Sequence, residues 1–368
     1  MNIALLGFGN VGKAFYSLAC NRTDMAVTKV LSRHPHPELT CEITADFAQI
    51  ENDSSIDTVI EVLGGLNPSH DYVCRALRAG KNVVTANKHL MVVYYDELVS
   101  LAHKNDVKLR CTAAAAGGIP WLSSISRGAR MDNIVEIAGI LNGTTNYILN
   151  EMTNHGSDYM TALKGAQDIG FAEKDPTDDV EALDPRRKLV LSANLAFGVS
   201  LREDDIPCFG ISTISAEDIT FFREHGWICK LFTRAKKVSS GVSAFVIPTL
   251  FGITAPEIYS NVAFYGERIG KFGFSGAGTS AGVYPTGSSV LADCLDIQAG
   301  CDPFYHVIAP HPCLIDNSNE MKRFYFRTQG KQFITEPICV GEAFDQNKAD
   351  PKSRTEGLHG LPKRIKKN

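Results

Sequence analysis

Asn2-Ile3-Ala4-Leu5-Leu6-Gly7-Phe8-Gly9-Asn10-Val11-Gly12 is the stretch whose reading decides the fold. Asn2 to Leu6 is a short, nearly continuous apolar run, the pattern of a strand buried on both faces in a parallel sheet. Three glycines follow in the spacing G-x-G-x-x-G, and Val11 to Leu18 then carries helical periodicity. Strand, glycine turn and helix together form the dinucleotide-binding signature. Gly7 makes the tight turn, Gly9 lets backbone approach a pyrophosphate, and Gly12 lets the helix pack on the strand. The helix N-terminus, reached through Asn10 and Val11, offers exposed N–H groups and a positive dipole end to the phosphates. The bland alternative is a glycine turn in a βαβ unit that holds no ligand.

Working outward, a second strand from Ala26 to Leu31 ends in Ser32 and Arg33. An acidic residue about 20 positions beyond the glycines reads the ribose of NAD, whereas an arginine there suits the 2′-phosphate of NADP. Arg33 lies 21 residues beyond Gly12, so the reading leans to NADP with NAD still possible. A solvated arginine at a strand end is the alternative. Strand and helix patterns then alternate through Ile56–Leu63, Ser69–Arg78, Asn82–Ala86, Leu90–Ala102 and Val107–Ala113, which predicts an α/β, Rossmann-type doubly wound parallel sheet. Its strand ends deliver Gly64, Gly65, Thr85 and Lys88 to the cofactor crevice. Lys88 reads either as a surface lysine or as a functional group there.

Composition bounds the rest. The chain has 368 residues, 44% apolar and 21% charged, enough for two to three domains with a sizeable core. A net charge of -4 gives no footprint for nucleic acid or an anionic membrane, so a small-molecule substrate is expected. Neither a membrane-length apolar run nor a basic leader is visible, which predicts a cytoplasmic protein. Ten cysteines contain no C-x-x-C pair, and Cys20, Cys74 and Cys294 lie in apolar runs expected to bury reduced thiols; no disulfide framework and no metal site are expected.

The pattern changes after residue 133. Ile134–Leu141 reads as a strand, and Asn142-Gly143-Thr144-Thr145-Asn146 as a turn capping the next helix. Gly143 and Thr144 can also present an N–H and a hydroxyl to a small polar substrate. An acidic stretch from Gly170 to Asp179 precedes a periodic helix over Val180–Phe197. Asp184 and Lys188 are four apart on it: either an exposed pair contributing about 0.2–0.5 kcal/mol, or, turned into a cleft, an ammonium beside a carboxylate able to hold a zwitterion or move a proton. Gly241–Ile247 and Val262–Tyr265 predict a mixed sheet, and Gly276–Thr286 is a glycine-rich loop before a helix over Gly287–Leu295. Beyond Ala299 periodicity is lost, apart from one strand at Arg323–Arg327, and the tail Lys363–Asn368 is basic.

Several motifs occur together in one order: the glycine turn at 7 to 12, Glu61-Val62-Leu63-Gly64-Gly65, Thr85-Ala86-Asn87-Lys88, Ala116-Gly117-Gly118-Ile119-Pro120, Gly139-Ile140-Leu141-Asn142-Gly143-Thr144-Thr145-Asn146-Tyr147, Ala172-Glu173-Lys174-Asp175-Pro176-Thr177-Asp178-Asp179, and Leu183-Asp184 with Lys188. Over roughly residues 1 to 300 the chain resembles the homoserine dehydrogenase family. The resemblance implies reversible, NAD(P)-dependent oxidation of L-homoserine to L-aspartate 4-semialdehyde. It implies a catalytic lysine pair at Lys88 and Lys188, a catalytic role for Asp184, and substrate contacts from Gly143, Thr144, Glu173, Asp179, Asp184 and Lys188. A homodimer paired through the second domain is also implied.

The chain departs from the family pattern at Thr112, where a glutamate helps to bind a monovalent cation, and at Ala114, where a serine or threonine is usual. Phe171 replaces a tyrosine, and Glu181-Ala182-Leu183 lacks the usual glycine. The domains expected are a dinucleotide-binding domain over 1–130, a substrate-binding and dimerisation domain over 131–284, a helix over 285–300 returning to the first, and a C-terminal extension over 301–368, short for a regulatory module. The rival readings are a relative oxidising another hydroxy amino acid and a silent NADP-binding regulatory protein. Arg33→Ala should raise the Michaelis constant for NADP more than that for NAD in steady-state assays; equal effects would separate Arg33 from the 2′-phosphate.

Overall fold

Burial on both faces explains the first sheet. Ile3 to Leu6 are fully buried in β1 (Asn2–Leu6), which pairs in parallel with β2 (Ala26–Leu31) on one side. β3 (Glu42–Thr44) extends that side; on the other lie β4 (Thr58–Glu61), β5 (Asn82–Thr85) and β6 (Leu109–Arg110). The order is β3-β2-β1-β4-β5-β6, all parallel, so the doubly wound sheet expected from the sequence is present. Strand order reverses between β1 and β4, which opens a crevice at their carboxyl ends. Helices α1 (Asn10–Ala19), α2 (Ala48–Glu51), α3 (Ser69–Arg78), α4 (Lys88–Val93), α5 (Tyr95–Lys104) and α6 (Trp121–Met131) complete this part of the chain.

In this computed structural model, residues 1–252, 261–275, 282–301, 304–307, 309–328, 331–349 and 357–360 are described. Most of the glycine-rich loop (276–281) and the basic tail 363–368 lie outside them. The chain divides into two compact units: 1–134 with 190–202 and 278–312, and 135–189 with 203–277 and 313–368. Residues 190–202, expected within the second domain, therefore belong to the first unit.

Three expectations for the first unit change. The helix over Leu90–Ala102 is two, because Tyr94 leaves helical geometry and stacks its ring on His70 at 3.8 Å. The strand over Val107–Ala113 shrinks to β6, because Asp293 takes the Thr112 N–H at 2.8 Å and its hydroxyl at 2.7 Å and draws that backbone out of the ladder. Cys20 is exposed rather than buried, one residue past the last buried position of α1. Asp293 belongs to the helix Val283–Gln298, which packs so closely on α1 that a Cβ at Gly287 would stand 2.9 Å from the Ala14 Cβ.

The second unit is built on a largely antiparallel eight-stranded sheet. β7 (Ile134–Gly139) pairs with Trp227–Val238, which forms a long hairpin with Gly241–Gly252. Trp227–Val238 escapes a periodicity reading because Lys230 and Arg234 interrupt it. Both are satisfied inside: Lys230 donates to Asn146 at 2.8 Å and to Asn150, and Arg234 pairs with Glu136 at 2.9 Å and with Glu320. The unassigned extension joins the same sheet through Phe324–Thr328, Lys331–Ile334 and Gly357–Gly360. Val340, Ala343 and Phe344 of a terminal helix pack with Phe245, Ile247, Phe324 and Phe326. Among the described residues, no helix is long and apolar enough to cross a membrane.

Backbone presses directly on backbone at Gly12, where a Cβ would stand 2.5 Å from the Gly7 carbonyl oxygen, itself in a turn of φ +97°. Neither backbone can retreat without separating α1 from β1. Gly12→Ala should cost about 1–3 kcal/mol, read as a lower denaturant midpoint with unchanged m value, and should weaken dinucleotide binding; an unaltered midpoint would contradict the packing.

Candidate active site

In the first unit the crevice loops hang on one buried carboxylate. Glu61, the last residue of β4, is fully buried. Its Oε1 accepts the N–H groups of Leu63 at 2.9 Å and Gly64 at 3.2 Å, and its Oε2 accepts the Thr85 hydroxyl at 2.6 Å. Asn87 joins the two loops, donating from Nδ2 to the Gly65 carbonyl at 2.6 Å while its Oδ1 caps α4 at Leu90 N, 3.0 Å. Lys88 is the first residue of α4 and half-buried. Thr85 thus spends its hydroxyl on Glu61 and serves the crevice by holding loop geometry. Gly9, Gly64 and Gly65 face open space, with no atom within 4 Å of where a Cβ would sit, as backbone that must approach a phosphate requires. Gly7, Gly9, Asn10, Val11 and Gly12 form the turn and first turn of α1, and Arg33 stands exposed past the end of β2. These residues fit a dinucleotide.

The second unit holds a separate polar cluster. β7 leads through Leu141 to Asn142, the N-cap of α7 (Gly143–His155). Asn142 is buried and uses both ends of its amide. Oδ1 accepts from Thr145 N at 2.8 Å, and Nδ2 donates to Asp179 Oδ1 at 2.6 Å and Asp184 Oδ2 at 2.9 Å. Lys188 Nζ pairs with the same Asp184 oxygen at 2.8 Å and donates to the Leu141 carbonyl at 2.9 Å. The exposed-pair reading of Asp184 and Lys188 is thereby excluded, since their side chains are only 12% and 20% exposed. Burial, reinforced by the Asp184 charge, raises the Asp179 carboxyl above the usual range, against the hydrogen bond from Asn142 and the charge of Lys188.

This convergence depends on two breaks in the chain. The helix expected over Val180–Phe197 is divided into Thr177–Val180 and Leu183–Phe197 by Ala182, whose φ of +66° is costly for a residue with a Cβ. Gly210 supports the bend from behind: any Cβ there would collide with the Val180 carbonyl oxygen, and Ile211 N donates to that oxygen at 2.8 Å. Gly143 is exposed with open space before it, and helix geometry leaves the N–H groups of Gly143 and Thr144 without intrahelical partners. The Thr144 hydroxyl donates to the Phe171 carbonyl at 2.7 Å, a backbone contact independent of the Phe171 side chain. Glu173 is exposed, and among the described residues no hydrogen bond joins its carboxylate to the cluster. Sequence reading missed Asn142 and Glu61 as organising side chains. Their signal was position, a polar residue at or just past a buried strand end.

A family model described as homoserine dehydrogenase matches residues 120–295, and one described as homoserine dehydrogenase, NAD binding domain, matches residues 7–112. The chain is 38% identical to homoserine dehydrogenase of Bacillus subtilis (strain 168), over 81% of this chain and 73% of that one. The chain belongs to the homoserine dehydrogenase family. A crystal structure of a homoserine dehydrogenase from Thiobacillus denitrificans superposes with a TM-score of 0.85 at 25% identity, covering 98% of each chain, and one from S. aureus with 0.73 at 31%, covering 95% and 86%. The activity is NAD(P)-dependent oxidoreduction of homoserine in amino-acid biosynthesis, which is favoured over both rival readings. The family's monovalent cation does not fit the residues at Thr112. The glutamate is absent, and the Thr112 N–H and hydroxyl are both engaged by Asp293, whose carboxyl burial raises to about 6.

Asn142→Ala removes the donor shared by both carboxylates. It should lower kcat/KM for homoserine about 10–100-fold, in line with about 1.5–3 kcal/mol for a hydrogen bond to a charged group. Because the lost N–H stabilised ionised Asp179, its carboxyl should rise further, moving the acid limb of the pH profile upward. An unmoved acid limb with normal turnover would show that Asn142 only caps α7.

Proposed function

We propose that the Asn142, Asp179, Asp184 and Lys188 cluster binds homoserine and handles its hydroxyl proton, in a cytoplasmic homodimer that prefers NADP. The observation that carries this reading is the ammonium of Lys188, fixed in direction by Asp184 at 2.8 Å and the Leu141 carbonyl at 2.9 Å. A bound nicotinamide supplies or accepts the hydride. In the reducing direction Lys188 donates its proton to the aldehyde oxygen as alkoxide charge develops, and in the oxidising direction the proton returns to its amine. Asp184 holds that Nζ in position.

Substrate recognition follows from the same elements. Asp179, and Glu173 by its motif, take the substrate ammonium. The N–H groups of Gly143 and Thr144, at the positive end of α7, take its carboxylate. Lys88 is assigned as the second lysine by its place in Thr85-Ala86-Asn87-Lys88, and Arg33 carries the NADP preference.

Lys188→Ala should reduce turnover by about 100-fold or more while leaving dinucleotide affinity, measured by fluorescence titration, nearly intact. Unchanged turnover would remove Lys188 from the chemistry. Loss of dinucleotide affinity as well would mean that the substitution disturbs the fold beyond the substrate cluster.

A further inference from the structure

His70 and Cys74 lie four residues apart on α3 and so share one helix face, and Glu97 of α5 meets them. His70 Nε2 stands 3.0 Å from Glu97 Oε2 and 3.4 Å from Cys74 Sγ, and Cys74 Sγ stands 3.5 Å from Glu97 Oε1. Hydrogen bonding accounts for two of these contacts, with the imidazole N–H and the thiol both donating to the carboxylate. The third, at 3.4 Å, is a van der Waals contact between the imidazole nitrogen and the sulfur. Nε2 has one proton or one lone pair, never both, and cannot serve Glu97 and Cys74 together.

One ligand atom from each of the three side chains lies within 4.8 Å of the others, a spread that small side-chain adjustments close around one small ion. Zinc bond lengths of about 2.0–2.1 Å to nitrogen, 2.0–2.2 Å to oxygen and 2.3 Å to sulfur, at tetrahedral angles, give edges of about 3.3 Å between nitrogen and oxygen and about 3.5 Å to sulfur. Thiolate and carboxylate charges would neutralise a divalent cation at a place where Cys74 is buried and His70 is half-buried. The softness of thiolate and imidazole selects zinc over magnesium or calcium. Independently of the triangle, the His70 ring is held against Tyr94, at an interplanar angle of 21°, so the donor is fixed before any ion arrives.

We propose that His70, Cys74 and Glu97 bind one Zn2+ per chain, with water in the fourth position, clamping α3 to α5. On binding, the zinc–sulfur bond replaces the S–H bond, the thiol proton goes to solvent, and nothing is oxidised or reduced.

The full chain, stripped of metal by chelation, would be titrated with Co2+ as a spectroscopic stand-in and with Zn2+ in thermal unfolding. Expected are a thiolate-to-cobalt charge-transfer band saturating at one equivalent, its displacement by Zn2+ but not by Mg2+, and a Zn2+-dependent rise in Tm. Cys74→Ser should abolish the band and the Tm response, and Cys20→Ser, an exposed thiol, should keep both. Glu97→Gln, at an exposed position, should weaken Co2+ binding by at least about tenfold, and it tests the site even if Cys74→Ser fails to fold. Absence of the band, or a band that survives Cys74→Ser, would overturn the proposal.

Discussion

The Asn142 amide is the interaction on which the polar cluster of the second unit depends. One side chain caps α7 through its oxygen and joins Asp179 to Asp184 through its nitrogen. Without that N–H, two carboxylates from different helical segments would face each other in a buried place, where like charges resist joint ionisation. The bridge and the Lys188 ammonium make the arrangement tolerable, while burial, with the Asp184 charge added, keeps the Asp179 carboxyl raised. Lys188 in turn is aimed by Asp184 and by the carbonyl just before Asn142. The end of β7, the start of α7 and the acidic bend are therefore held by one connected set of hydrogen bonds.

The nucleotide-binding unit uses the same logic with a different hub. Glu61 ends a buried strand and gathers the Gly64 and Thr85 loops by accepting their donors, with Asn87 tying the two together. A buried polar group is costly when unpaired. Placing one at a strand end forces the adjoining loops into the few geometries that satisfy it. In both units the functional loops are small and polar and gain their rigidity from such a hub rather than from apolar packing of their own.

Much of the first unit was legible because its rules are local. Apolar runs, glycine spacing and helical periodicity gave β1, α1, β2 and the doubly wound parallel sheet without knowledge of distant contacts. What failed depended on partners far away in the chain. The strand after Val107 is cut short by Asp293, more than 180 residues on. Trp227–Val238 is concealed by Lys230 and Arg234, whose partners lie on other elements. The helix break at Ala182 carries no glycine to announce it, and the support behind it comes from Gly210. In the polar cluster of the second unit, Asp179, Asp184 and Lys188 came from motif resemblance, whereas Asn142 emerged only as a cap. The His70, Cys74 and Glu97 triangle was invisible to cysteine arithmetic because it uses a single thiol and draws its third member from another helix.

Asp184, proposed above to orient the Lys188 ammonium for proton transfer, pairs with it at 2.8 Å. Asp184→Asn keeps size and most hydrogen bonding but removes the charge, and homoserine-dependent reduction of NADP at the nicotinamide absorbance band reads the consequence. The account predicts a fall in kcat of about 100-fold, the scale of a positioned acid–base group, with dinucleotide affinity unchanged. Turnover equal to that of the unsubstituted enzyme would contradict it.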